Sequence, residues 1–305
     1  MKKFVSSILL ILIVSSFSVA QIKRAPIKYH EDSLKTVHHD TIDEHYVEFY
    51  GIKFFTLKFG VNSFPFGSNT IEYLAGTAPN NYVGQSDFQY GKGYEIKANY
   101  GKYISENIGI EWNFQALIGG KNSISYRYSD SSLNLSVSSS YSVNSFLTGP
   151  SVTYQSKGEY WFPYVRAGLL LGFSQKNINE TAHVFQNSGG YIGKFKQITS
   201  EYGGYTTGYT IDFGIMKKID KKHLLFVEVG YNNLNQSFKN ATVDEATFNG
   251  NDVLYSYSTQ EKETIFVDKL SSTSNTDPNK PLEIEKYKTI LNSIGIKFGC
   301  KFLLY

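Results

Sequence analysis

Residues 93–120 read GYEIKANYGKYISENIGIEWNFQALIGG, two alternating runs joined by a short polar turn at Ser105, Glu106 and Asn107. In the first run Tyr94, Ile96, Ala98 and Tyr100 share one face, and Glu95, Lys97 and Asn99 share the other. In the second, Ile110, Trp112, Phe114, Ala116 and Ile118 oppose Glu111, Asn113 and Gln115. Successive side chains of a strand point to opposite sides of the sheet, so each run presents one apolar and one polar face. Each is about ten residues long, the length a tilted strand needs to cross a bilayer core. A soluble sheet would also alternate, so the weight falls on how often the pattern recurs.

It recurs eight times. Segments of period two fall near 52–62, 92–103, 108–119, 143–154, 162–173, 206–217, 223–233 and 289–302. The connections alternate in length. Ser63–Gly91, Gly120–Ser142, Ser174–Tyr205 and Asn235–Lys288 are long, whereas Ile104–Asn107, Gln155–Trp161 and Lys218–Lys222 are short. Tight turns at one end and extended loops at the other are the signature of a transmembrane barrel, and an even strand count puts both termini on the turn side. The expected fold is therefore all-β, an eight-stranded antiparallel transmembrane β-barrel. Two further strands hidden in 235–288 would give ten and a wider bore.

The opening of the chain agrees. Lys2 and Lys3, the apolar run Phe4–Val14 and Ser18-Val19-Ala20 before Gln21 have the three-part layout of a secretory signal peptide over 1–20. No long apolar stretch follows, so any crossing of a membrane falls to strands. The expected organisation is a signal peptide (1–20), a flexible periplasmic segment (21–48) and a barrel (49–305). Tyr (24), Phe (22) and Gly (26) are abundant, and the single Cys300 excludes an internal disulfide. A formal charge of +3 with no basic block among aromatics argues against a nucleic-acid partner.

The two faces predict an inverted interior. Leu57, Phe59 and Val61, Val165 to Phe173 at odd positions, Tyr209 to Ile215, Leu225 to Tyr231 and Ile294 to Phe302 form the apolar faces expected to meet lipid. The intervening positions carry Lys58, Glu95, Lys97, Glu111, Arg166, Asp212, Glu228 and Lys297, four acids against four bases. An eight-stranded barrel is only wide enough for its own side chains, and buried charges must be paired, so a closed, ion-paired lumen is expected. Tyr94, Tyr100, Tyr154, Trp161, Tyr164 and Tyr231 are assigned to interfacial girdles. Pro150 has no N–H to give its ladder, which predicts a bulge at Gly149-Pro150 or a shortened strand.

On strand count, loop asymmetry and the closing segment NSIGIKFGCKFLLY, residues 50–305 resemble the small outer-membrane β-barrel family of the OmpA-barrel and PorT-like kind. The resemblance implies a Gram-negative outer-membrane location with periplasmic termini, contact with outer-membrane lipid, and a monomer inserted by the barrel-assembly machinery. That machinery reads a terminal strand ending in an aromatic residue. Here Phe298 and Phe302 are in phase with the apolar face, and the final Tyr305 is not.

Outside the strands, His30, His38, His39 and His45 cluster with Glu31, Asp32, Asp40, Asp43 and Glu44, ligand types suited to zinc, though the spacing fits no compact metal pattern and a polar tail is the expected state. Loops 123–141 and 255–270 keep some alternation and are read as hairpins rising above the membrane, an adaptable surface for an unknown ligand. No G-x-S-x-G, H-E-x-x-H, P-loop or dinucleotide fingerprint occurs, and no cofactor is implied. His183 with Glu180 and a loop serine is the one conceivable catalytic group. Three classes follow: a structural or surface-interaction barrel without catalysis, which is expected, then a small channel, then a rim enzyme acting on lipid or peptide. A lipocalin-like soluble barrel would need the opposite faces.

Overall fold

Alternation of apolar and polar residues commits each segment to a strand, and the ladder pairs then decide the architecture. The computed structural model describes residues 49–305 apart from 66–68, 76–81, 89–91, 130–132, 159, 187–189 and 271–276. The expected signal peptide, the segment 21–48 and the four tail histidines lie outside the described residues.

Eight strands close a ring: β1 (Lys53–Pro65), β4 (Gly93–Tyr103), β5 (Ile108–Gly119), β7 (Leu133–Gln155), β8 (Trp161–Gln186), β10 (Thr206–Lys218), β11 (His223–Ser237) and β16 (Lys288–Leu304). Each pairs with the next, β1 closes on β16, and the β7–β8 ladder completes the circle. Every pairing around the ring is antiparallel. All eight predicted segments are ring strands, and among the described residues no ninth or tenth strand enters the ring. Short turns join β4 to β5, β7 to β8 and β10 to β11 at one end, the turn end. The long connections leave from the other, the loop end.

Most of the loop-end segments continue the ring strands upward. β6 (Asn122–Ser129) carries on the line of β5, and β9 (Tyr191–Tyr202) leads down into β10. At both junctions the register moves by one residue, from Leu117↔Ser145 to Asn122↔Tyr141 and from Lys176↔Glu201 to Gly172↔Thr206. The breaks fall at Gly119-Gly120 and Gly203-Gly204, where the bare backbone absorbs the offset. Gly203 has a φ of 81°. β12 (Asn240–Phe248) extends β11 and pairs with β9 and with the two-residue β13 (Asn251–Asp252), while β14 (Glu263–Val267) and β15 (Leu282–Glu285) complete that edge. β2 (Asn69–Ala75) and β3 (Tyr82–Phe88) form a separate two-stranded sheet.

Two expectations change here. Residues 123–141 are a hairpin, but 255–270 are not. They hold a 3-10 turn (Leu254–Ser256), a one-turn helix α1 (Thr259–Lys262) and then β14. Ser258 and Glu261 cap that helix reciprocally, Ser258 N donating to Glu261 Oε2 at 2.7 Å, so the local S-x-x-E signal outweighs the weak alternation. Pro150 produces neither a bulge nor a shortened strand. The β7–β8 register is the same on both sides, Thr148↔Leu171 and Ser151↔Gly168, with only Gly149 and Pro150 left out of the ladder. Asn113 Nδ2 donates to the Gly149 carbonyl at 3.1 Å, so the interruption is satisfied from inside the ring.

Candidate functional site: a sealed, charged interior

Inside the ring the side chains lie in three layers. The middle one holds all eight charged residues singled out in the sequence, each at most 2% exposed. Asp212 is the hub. Its carboxylate lies 3.1 Å from Lys58 Nζ, 2.8 Å from Lys297 Nζ, 3.6 Å from Lys97 Nζ and 3.5 Å from Arg166. Glu228 bridges Lys58 at 2.5 Å and Arg166 at 2.9 Å. Glu95 takes the other side of Lys297 at 2.9 Å, and Glu111 accepts from Arg166 Nε and Thr153 Oγ1. These pairs join strands far apart in sequence, so the network ties the ring across its own axis.

Two glycines make room for it. A Cβ at Gly230 would collide with Asp212 Oδ1 and fall 2.5 Å from Lys297 Nζ, and one at Gly60 would fall 2.7 Å from Lys297 Cγ. Amide and hydroxyl side chains fill some of the remaining valences: Asn232 Nδ2 donates to Glu95 at 3.0 Å, Asn99 Nδ2 to Glu111 at 2.8 Å and Tyr164 OH to Glu228 at 2.6 Å, while Arg166 Nη2 and the Gln115 amide have no hydrogen-bond partner.

Tyr164 therefore belongs to the interior and not to a girdle. It is 5% exposed, on the same parity as Arg166, and the buried carboxylate supplies the partner its hydroxyl needs. Tyr94, Tyr100, Tyr154 and Trp161 are each about half exposed on the outer face. Sequence reading also missed Lys301, a fully buried fifth cation of the ring interior. Its Nζ donates to Tyr103 OH at 2.7 Å and lies 4.3 Å from the centre of the Phe54 ring, a cation–π contact in place of an ion pair. Its parity with Lys297 was the available signal.

Apolar layers flank the charges. At the turn end Phe49, Ile52, Phe54, Tyr103, Phe162, Met216, Leu224, Phe226 and Leu303 pack into one buried cluster that also takes in the Tyr164 ring. Towards the loop end Leu117, Val143, Leu147, Leu170, Leu234 and Leu291 form another. Above these leucines Gln236 Nε2 donates to Ser145 Oγ at 3.1 Å and to Ser174 Oγ at 2.5 Å, and Ser174 pairs with Thr206 at 2.6 Å. The outer face is the reverse: Leu57, Phe59, Phe114, Leu169, Phe173, Phe213 and Phe298 are each between 47% and 65% exposed.

Beyond the ring, Lys176 lies 3.2 Å from Glu201 and donates to Tyr287 OH at 2.9 Å. Burial pushes the Lys176 ammonium down from its ordinary pKa, against the pull of Glu201. Tyr287 OH also donates to Glu201, so this cluster pins the chain entering β16 to β8 and β9. His183 and Glu180 do not form a relay. They are three apart on a strand, hence on opposite faces; Ser139 Oγ donates to Glu180 at 2.9 Å, while His183 lies against Tyr191. His223 sits at the β10–β11 turn, its ring 2.8 Å from Asp220, whose carboxyl that bond and the Lys222 N–H hold below its ordinary pKa. Phe298 and Phe302 share the outer face of β16, and Tyr305 OH donates to the Lys221 carbonyl at 2.7 Å. Among the described residues no group of three or more His, Cys, Asp or Glu is arranged to hold a metal ion.

No helix of the described residues is long and apolar enough to cross a membrane. A comparison with protein families finds no match, and a comparison with curated proteins finds none. Among solved structures, the TodX deltaS2S3 mutant monoaromatic hydrocarbon channel is similar at 8% identity over 83% of this chain and 90% of that one, with a TM-score of 0.13. A superposition at that level leaves the activity to be argued from this chain's own residues, whose fold is an eight-stranded closed β-barrel.

Proposed function

We propose that the protein is an integral outer-membrane β-barrel whose lumen is closed and ion-paired, and whose role is structural or in surface contact rather than in transport or catalysis. The observation that carries the reading is inversion: large apolar side chains face outward all round the ring, while the charged ones are sealed within it. In water that outer face would be an apolar surface far larger than soluble monomers expose. In hydrocarbon it is the expected exterior, and the closed ladder leaves no unpaired edge across the ring.

A channel of this strand number would have to clear three layers at once, an aromatic plug, the ion network and a leucine plug. Each buried charge would lose its partners if water or solute replaced them. The loop-end sheet, rich in Ser, Asn, Thr and Tyr, is the surface offered to the cell exterior, and the turn end faces the periplasm. The test is conductance: purified protein in planar bilayers is expected to give no stable open level, and large, long-lived single-channel currents would refute the closed lumen.

A further inference from the structure

The outer face is not uniformly bulky. Lys217, Leu225, Cys300 and Leu57 lie in one cross-strand row, and Trp161 opens it on β8. In β16, Phe298 stands one step above the row and Phe302 one step below. The small Cys300 lies between the two phenyl rings in a shallow, open groove of about 740 Å³ with almost wholly apolar walls. Its β8–β10 end carries a cation of the outer face: Lys217 Nζ lies 5.2 Å from the centre of the Trp161 ring.

The turn just below is KKIDKK, residues 217–222; Lys217, Lys221 and Lys222 are exposed, while Lys218 takes the inward parity of Met216. Its one carboxylate is turned inward on the turn itself. Asp220 Oδ1 accepts from the N–H groups of Lys222 at 2.7 Å and His223 at 2.9 Å, and the His223 ring takes the rest. Leu303 N and Tyr305 OH hold the carbonyls of Lys222 and Lys221, so the turn is clamped by the end of β16. The result is a fixed, basic rim directly beneath an apolar groove, with a tryptophan at the boundary where amphipathic rings settle.

We infer that this sector is a binding site for an anionic phospholipid of the periplasmic leaflet, one acyl chain lying over Cys300 and the phosphate meeting Lys217, Lys221 and Lys222. The inference rests on the membrane reading above. Its physical basis is charge complementarity added to apolar fit: lysines at a membrane surface attract acidic headgroups, and a groove holds a chain where a convex wall of phenyl rings would not.

The chain has two tryptophans, which supplies the test. Trp112 pairs with Tyr100, which leads through Phe55 to Phe302, so it lies on the outer face on the far side of β1 and β4 from the groove. Full-length protein carrying Trp112→Phe is reconstituted in phosphatidylcholine vesicles containing brominated phosphatidylglycerol or, separately, brominated phosphatidylcholine. Trp161 is expected to be quenched with an apparent preference for the anionic lipid of about fivefold, the factor one lysine at a surface supplies. Trp112, read in the Trp161→Phe variant, is expected to show no such preference.

Replacing Lys217, Lys221 and Lys222 by Gln is expected to abolish the preference at Trp161, and Lys217→Gln alone to reduce it. Equal quenching of Trp161 by both lipids, an equal preference at Trp112, or a preference untouched by the lysine replacements would each overturn the site while leaving the membrane reading intact. Quenching of neither tryptophan by either lipid would overturn the membrane reading and the site together.

Discussion

β8 passes through two environments, and its two halves teach different lessons. From Trp161 to Ser174 burial alternates almost residue by residue, because one face looks into the ring and the other away from it. From Asn177 to Phe185 every residue is half-buried, although the backbone is still a paired strand between β7 and β9. A closed ring imposes two unlike surroundings on a strand, and selection writes that difference into the sequence. The loop-end sheet, half-buried on both faces, imposes no such difference.

Substitutions can sharpen this contrast. The largest loss is expected from Asp212→Asn, which strips four cations of their shared partner. Removing one member of a buried ion network costs about 3–5 kcal/mol, read as a lower midpoint of urea unfolding in detergent. Replacing Asp212 and Lys297 together by Leu and Met should recover part of it, because fewer buried charges are then left unpaired. Leu147→Ala or Leu234→Ala, both in fully buried positions of the leucine plug, should each cost about 2–5 kcal/mol. The double variant should still not conduct, since the aromatic plug and the ion network remain.

On the outer face, Leu169→Arg should cost about 2–4 kcal/mol in a bilayer if Leu169 lies near the midplane. Thr181→Glu on the same strand, cross-strand from Lys196, should stay within about 0.5 kcal/mol. The smallest effect belongs to the β10–β11 turn. Asp220 has its pKa lowered in the fold, so its contribution is present above the ordinary carboxylate range and fades as the pH falls through the lowered value. Asp220→Ala should remove that dependence, detectable as a flatter acid limb of the unfolding midpoint.

The ring was legible because period two is unambiguous when one face is Leu, Phe and Ile and the other Lys, Glu and Asp. All eight strands and the eight paired charges could be named on that basis. Lys301 and Tyr164 were equally available by parity with Lys297 and Arg166. At the end of β16 the aromatic signal of Phe298, Phe302 and Tyr305 hides the phase of Lys301, and at Tyr164 the interfacial preference of tyrosine competes with phase. The loop-end strands were harder. β6 and β9 continue ring strands only after a Gly-Gly break that resets the register, and β14 and β15, at five and four residues, are too short for a period to emerge. Pro150 misled for a local reason: Asn113 on the neighbouring strand supplies the hydrogen bond that the gap leaves open, which no pattern within β7 reveals.

The central claim is that alternate residues of one strand face hydrocarbon and a sealed interior. Spin labels placed singly at 163–173 and 177–185 of β8 in reconstituted vesicles test it most directly, through collision with oxygen, which concentrates in lipid, and with a water-soluble nickel complex. The account predicts that labels at Val165, Ala167, Leu169 and Leu171 are open to oxygen and closed to nickel, that Leu170 between them is shielded from both reagents, and that nickel reaches most positions over 177–185. Nickel access at Val165, Ala167, Leu169 and Leu171, or oxygen access without regard to face, would contradict it.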